Sequence, residues 1–559
     1  MPIVTRDARQ ATPAHRDSRE SGAKESEDLY ALPDTAWRDG PAPGRRDGQA
    51  RRWIAVATVF AVAAALMGLF ELDRMPAPWW DEGWTLCVAR QWVETGHYGC
   101  LLEGRPAPPI LAGHFPVVAS IAAGFQLLGV GLWQARFVEV LYSLLTLALL
   151  YGLALRCFDQ KVATVTLVLA LFLPVNWQMH PLILGRQVLG EMPMLCFLLA
   201  GYLCATFLHR HPGWWVGAVG CWGLALWTKA QVRPFWTLSL TVPLVWSLAR
   251  REWRTSLWVS SAGAAAWGLF MLLGELKSLV LAGHTLPTPA MTGLLQASAL
   301  VFAPRVRLDA VIFTATFLVP TLCGLGAAVW STVAHWQTGD AIRGLGVARV
   351  MLLTFAVSWF GWFFCLSLGG ARYAFPMWFT ALPFVAALMV EWSQGLDLRA
   401  VHRELRRQGG GPWSKTRAVG VVSLALLLCW MTVQARLQFR GREADQALPQ
   451  VVEYLHGHVP TGAMIETYES ELFLLLDRPY HYPPAELNVD LIRQGWHAQR
   501  HLTYDPLQAD PDYVVVGEFG RWANLYQSLV DSGQIRLIHR VGRYQVYERV
   551  RPHMSPAIP

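Results

Sequence analysis

Apolar stretches alternate with short polar connections from Trp53 to about residue 436. Runs of ~17–25 apolar residues are long enough to cross a bilayer. The pattern predicts spans at 53–72, 137–155, 162–177, 192–208, 214–228, 234–249, 255–273, 310–332, 348–368, 376–393 and 418–436. That makes about eleven crossings, several of them shorter than the ~20 residues a perpendicular helix needs. One further apolar stretch, 114–133 (HFPVVASIAAGFQLLGVGLW), decides on which side everything after it lies. If it crosses, Arg250, Arg251, Arg254 and the cluster Arg399, Arg403, Arg406, Arg407, Lys415, Arg417 face outward. If it lies in the outer interface, those clusters become cytoplasmic together with Arg156, Lys161 and Arg210, as positive charge prefers. Pro116, several glycines and Gln126 also suit an interfacial or re-entrant helix packed on protein. The stretch is therefore predicted not to span.

Arg45, Arg46, Arg51 and Arg52 precede the first span and keep the N-terminus in the cytoplasm. Residues 1–50, rich in Arg, Asp, Glu, Gly, Pro and Ser, are predicted to form a disordered cytoplasmic tail. They show no signal-peptide pattern, so the first span is expected to act as an uncleaved anchor. The polytopic domain covers 51–437 and includes a first external loop, 73–136. Beyond it the pattern changes. Helical spacing at Ala444–His458 and Asn524–Ser532, with strand-like runs at Met464–Thr467, Tyr513–Val516 and Gln545–Tyr547, predicts a small extracytoplasmic α/β domain at 438–559.

Composition agrees with a multi-pass protein of the plasma (inner) membrane. Hydrophobic residues make up 53% of the 559 positions and charged residues 16%, against roughly 25% charged in average soluble proteins. The net charge of +7 is accounted for by Lys and Arg between apolar runs, so no nucleic-acid partner is implied. Most of the nine cysteines lie in apolar segments and behave as small hydrophobes. Cys87 and Cys100 share a polar loop. They are either a disulfide, if that loop is extracytoplasmic, or two unpaired thiols.

The stretch Pro78-Trp79-Trp80-Asp81-Glu82-Gly83-Trp84 follows the first span. Two carboxylates among tryptophans at a membrane boundary read either as an acid site or as a solvated pair beside an aromatic belt. Other predicted external loops are 176–191 (NWQMHPLILGRQVLGE), 229–233 (KAQVR), about 274–309, and 369–375 (GGARYAF).

The order of these features resembles the GT-C fold membrane glycosyltransferases. That group includes protein O-mannosyltransferases, the lipid A aminoarabinose transferases and the catalytic subunit of oligosaccharyltransferase. The likeness is carried by WWDEGW after the first span and a Pro-containing segment ending LLGVGLWQARF. It continues through a short basic loop (LRCFDQK), a span ending at Pro174, then GRQVLGEMP and GGARYAFP. It covers roughly residues 53–395 and leans towards the lipid A and protein-mannose transferases, whose external acids read Asp-Glu as here.

The resemblance implies a sugar donor linked to a polyprenyl phosphate, a glycan, lipid or protein acceptor, and inverting transfer on the external face. Asp81 would be general base, with Glu82 orienting it or the acceptor. Arg372 would bind the donor phosphate, with Lys229, Arg233 and Arg186 as further candidates. Glu191, His97, His114 and Tyr373 would contact acceptor or sugar. Glu191 stands alone where the oligosaccharyltransferase pattern has paired acids, so no cofactor is expected and a divalent metal is not favoured. Plainer readings stand beside each role. Arg372 could be an interfacial anchor, Lys229 and Arg233 simple interfacial charges, and Arg186 and Glu191 a loop-ordering pair. The competing class is a transporter or flippase of lipid-linked glycans, which would place polar groups near mid-membrane and show internal repeats. Here the charges gather at one face and no repeat is apparent.

Overall fold

Apolar composition over the first two-thirds of the chain produces helices at each of the predicted spans. The computed structural model describes residues 47–551 apart from 79, 110, 174, 209–210, 288–296, 335–344, 398, 400–402, 404–411, 440–445 and 495–503. The expected tail, up to residue 46, lies outside the described residues.

The first span is α1 (Asp47–Leu69). After it come α2 (Trp80–Thr95), a hairpin of β1 (Cys100–Leu102) and β2 (Arg105–Ala107), and α3 (Phe115–Leu128). Four helices then run in close succession: α4 (Leu132–Cys157), α5 (Gln160–Phe172), α6 (Glu191–Ala205) and α7 (Gly213–Thr228). They are followed by α8 (Val232–Ala249), α9 (Trp253–Val280), α10 (Pro304–Ala334), α11 (Leu345–Cys365), α12 (Ala371–Trp392) and α13 (Pro412–Phe439). Six of these, α1, α4, α9, α10, α11 and α12, are individually long and apolar enough to cross a membrane. The stretch expected not to span forms α3, a helix of only 14 residues that packs on α2 and α4. The basic loop after α4 is a tight turn in which Asp159 caps α5, accepting from the Val162 N–H at 2.9 Å.

Residues 447–549 add a mixed α/β unit. It opens with α14 (Ala447–His458) and carries β3 (Ile465–Thr467), β4 (Tyr480–His481), α15 (Ala485–Gln494) and β5 (Tyr513–Val516). It closes with α16 (Glu518–Trp522), α17 (Gln527–Asp531), β6 (Ile535–Val541) and β7 (Tyr544–Arg549). The sheet order is β4-β3-β5-β7-β6, with β3 parallel to β4 and β5 and the remaining pairs antiparallel.

Two cores result. One is formed by the long helices. In the other, Trp84, Leu86 and Val88 of α2 and Val118, Ile121 and Phe125 of α3 join Leu448, Ile465, Val514 and Val546. The first polar loop and the α/β unit are therefore one body, although more than 300 residues of helices separate them in sequence. Gly83 makes this possible. A Cβ there would lie 2.0 Å from the Ser470 carbonyl oxygen, so α2 meets the backbone of the α/β unit at a point with no room for a side chain.

Candidate active site

Asp81 and Glu82 fall in the first turn of α2, where the helix dipole favours negative charge. Successive helical residues point about 100° apart, from the 3.6-residue turn, and the two carboxylates part company. Glu82 turns inward and is fully buried. Arg136, in the first turns of α4, holds it from two sides, with Nε to Oε1 at 3.1 Å and Nη2 to Oε2 at 2.9 Å. The Val188 N–H adds a third donor at 2.9 Å. The same guanidinium donates to the Leu72 carbonyl at 3.1 Å and the Pro76 carbonyl at 2.8 Å, tying down the link from α1 to α2. Glu82, expected to orient Asp81 or the acceptor, is instead held in a buried ion pair with Arg136.

Asp81 keeps a third of its side chain exposed and receives Nη1 of Arg372, the second residue of α12. Arg372 Nε lies 3.0 Å from Glu191 Oε1, and Lys229 Nζ lies 2.6 Å from the same oxygen. Four charges from α2, α12, α6 and the α7–α8 turn therefore form one chain. Glu191 Oε2 is buried and has no hydrogen-bond partner among the described residues. Burial pulls the Lys229 ammonium below its ordinary lysine value, with Glu191 opposing the shift.

Asp81, Arg372 and Tyr373 line a cavity of about 480 Å³. Trp80, Gln187 and Gln231 line it from the helical side, and Tyr468, Asn488, Phe519 and Trp522 from the α/β unit. Trp80 is the joint. Its Nε1 donates to the Tyr468 carbonyl at 2.9 Å, the Trp80 carbonyl accepts from Ser470 Oγ, and the Trp80 ring sits 6.2 Å from that of Phe519.

The remaining candidates lie outside this lining. Arg186 is buried and donates to the Gly68 carbonyl at 3.0 Å, and the anticipated pair with Glu191 is replaced by Glu191 with Arg372 and Lys229. Arg233 donates to the Leu226 carbonyl at 3.2 Å and stacks 4.4 Å from the Phe270 ring centre, its charge spent on local packing. His97 bonds the Ala107 carbonyl at 3.1 Å within the hairpin. His114 precedes α3. The residue is exposed, yet crowding by the surrounding protein and then the charges of Arg233, Lys229 and Lys277 lower its pKa to about 4. Among the described residues, no group of three or more His, Cys, Asp or Glu is placed to hold a metal.

Sequence reasoning missed Arg136, Gln187, Gln231 and the aromatic wall from the α/β unit. Arg136 carried a usable signal, a charge entering an apolar span, where it must find a partner.

Six long apolar helices with shorter ones between them, the short α3, an Asp-Glu turn after the first helix and an α/β unit packed on α2 make up a membrane fold of the GT-C class. Residues 113–273 match the sequence model of the family described as dolichyl-phosphate-mannose-protein mannosyltransferase. Among solved structures, the chain is similar to ArnT from Cupriavidus metallidurans bound to undecaprenyl phosphate. The identity is 17%, the TM-score 0.55, and the match covers 92% of this chain and 100% of that one. The apo state of the same protein matches with a TM-score of 0.56 at 17% identity, over 90% and 98% of the two chains. The Archaeoglobus fulgidus oligosaccharyltransferase tethered to an acceptor peptide matches at 11% identity and a TM-score of 0.50, over 89% and 74%. At such identities these likenesses establish the fold. No curated protein matches the chain in sequence.

Proposed function

We propose that the protein is an inverting glycosyltransferase that moves a sugar from a polyprenyl-phosphate donor to an acceptor on the external face of the membrane. The observation that carries this reading is Asp81, a carboxylate on the wall of a cavity, linked directly to Arg372. The match to a mannosyltransferase family and the likeness to an undecaprenyl-phosphate-bound structure support it.

Asp81 takes the proton from the acceptor's nucleophile as that atom attacks the anomeric carbon opposite the phosphate. The bond from that carbon to the phosphate oxygen breaks with its electron pair, leaving an anionic polyprenyl phosphate that needs no proton. Fixed positive charge in a low-dielectric setting stabilises that departure. Arg372, on the cavity wall, supplies it, and Lys229 supports it through Glu191. Holding Asp81 by one oxygen also keeps the base aimed. The acceptor, a glycan, lipid or protein, enters beside Tyr468, Asn488, Phe519 and Trp522. Trp522 is 61% exposed at this lip, and exposed aromatic faces suit a sugar ring. The transporter reading loses ground because the cavity lies between helix ends and the α/β unit, and not along the middle of the helices.

The test is Asp81→Asn in purified protein given a polyprenyl-phosphate sugar. Transfer should fall by about 10²–10⁴-fold, the usual contribution of a positioned base, with donor binding retained. Undiminished transfer removes Asp81 from this role.

A further inference from the structure

Cys87 lies on α2, two turns beyond Asp81, and Cys100 opens β1. Their exposures are 1% and 0%, and the two thiols are within hydrogen-bonding reach of each other. Both belong to the core shared with the α/β unit, outside the long helices. Tyr480 of β4 closes over them, its hydroxyl 3.2 Å from Cys87 Sγ. The hairpin that Cys100 begins also meets this unit, since the Glu103 N–H donates to the Tyr480 carbonyl at 2.8 Å. Cys204 and Cys221 also touch, but inside α6 and α7, within the apolar helices.

We propose that Cys87 and Cys100 form a disulfide in the mature protein, a covalent tether between the acid-bearing helix and the β1–β2 hairpin. This rests on the external-face reading, because only an oxidising compartment maintains such a bond. The two thiols give up two protons and two electrons to an oxidant of the disulfide class. A bond forms between their sulfurs as the oxidant's own S–S bond breaks into two thiols. The hydrogen bond from Cys100 lowers the Cys87 thiol pKa against the opposing effect of burial, so Cys87 is the better attacking thiolate. Oxidation must come before Tyr480 docks, since neither sulfur is accessible afterwards. Once made, the bond restricts α2 relative to the hairpin and so steadies the turn that presents Asp81.

The test uses full-length protein from the cells that make it, denatured in the presence of N-ethylmaleimide and then peptide-mapped with and without a reducing phosphine. Cys87 and Cys100 are expected to be unmodified until reduction, and to be recovered as one cross-linked peptide pair beforehand. A parallel sample of purified, never-alkylated protein is unfolded, and refolded with oxidised glutathione. If both cysteines are alkylated on denaturation without reductant and glutathione also fails to join them, the pairing itself is wrong. If glutathione joins them but the cellular protein is unbridged, the native bond is refuted and the external placement of α2 falls with it. As an independent check, Cys87→Ser, Cys100→Ser and the double variant should lower the unfolding temperature equally, as reductant does to the parent. Additive losses from the two single variants would overturn the bond.

Discussion

Arg136 and Glu82 meet through two parallel hydrogen bonds, at 3.1 and 2.9 Å, with neither side chain exposed to solvent. The pair lets the first turn of α2 keep one acid for structure while its neighbour faces the cavity. Removing one partner of such a pair leaves an unpaired buried charge, at a cost of about 3–5 kcal/mol. Arg136→Met should therefore destabilise the protein strongly, and Arg136→Met with Glu82→Gln should recover part of the loss. Thermal unfolding in detergent decides it. A double variant no better than Arg136→Met alone would mean that the charge pairing is not what matters.

Arg372 bridges Asp81 and Glu191, from two helices distant in sequence. A lysine would keep the charge but lose the fork that reaches two anions and a third oxygen. Arg372→Lys should raise the donor KM at least about tenfold, one good charge-assisted contact being worth ~1.5–3 kcal/mol, while the unfolding temperature changes little. Steady-state kinetics against donor concentration would reveal it. A KM equal to the parent's would exclude phosphate contact through this residue.

The helical architecture was legible because apolar run length acts locally, residue by residue. Thus 114–133, marked by Pro116 and Gln126, forms the short α3, and the predicted runs coincide with helices. The site was legible as residue types, but its wiring was not. Whether Glu191 joins Arg186 or Lys229 depends on how α6, α7 and α12 converge, which no local pattern encodes. Glu82 and Asp81 are indistinguishable as letters, and only the direction of α2 against α4 assigns their roles. The cavity wall is still less readable, since Tyr468, Phe519 and Trp522 reach Asp81 only through folding of a separate unit onto α2.

That docking has a steric bottleneck at Gly83, where an added Cβ would fall 2.0 Å from the Ser470 carbonyl oxygen. Gly83→Ala must push α2 and the α/β unit apart, breaking the Trp80–Tyr468 hydrogen bond and opening the cavity. The expected outcome is faster proteolysis within residues 447–549 and reduced transfer, with the helical core intact by circular dichroism. Unchanged protease resistance would show that the contact can relax without separation.

The same junction carries a pH dependence. Glu471, next to Ser470, is 2% exposed, receives the Tyr544 hydroxyl at 2.9 Å and has Arg543 at 3.7 Å. Burial, then the like charge of Glu469, pushes its carboxyl up to about 8 from 4.5, with Arg543 only partly opposing. Between those values the folded protein holds a proton that the unfolded chain has released, so stability falls as pH rises. The contribution is full below about 4.5 and is lost as pH climbs through about 8. The slope for one group is at most about 1.4 kcal/mol per pH unit. The α/β unit should accordingly become easier to cleave from pH 5 to pH 8, and Glu471→Gln should flatten that trend by fixing the neutral form. If the variant and the parent show the same pH profile in pulse proteolysis, Glu471 does not hold the proton and the charge must be carried elsewhere in the junction.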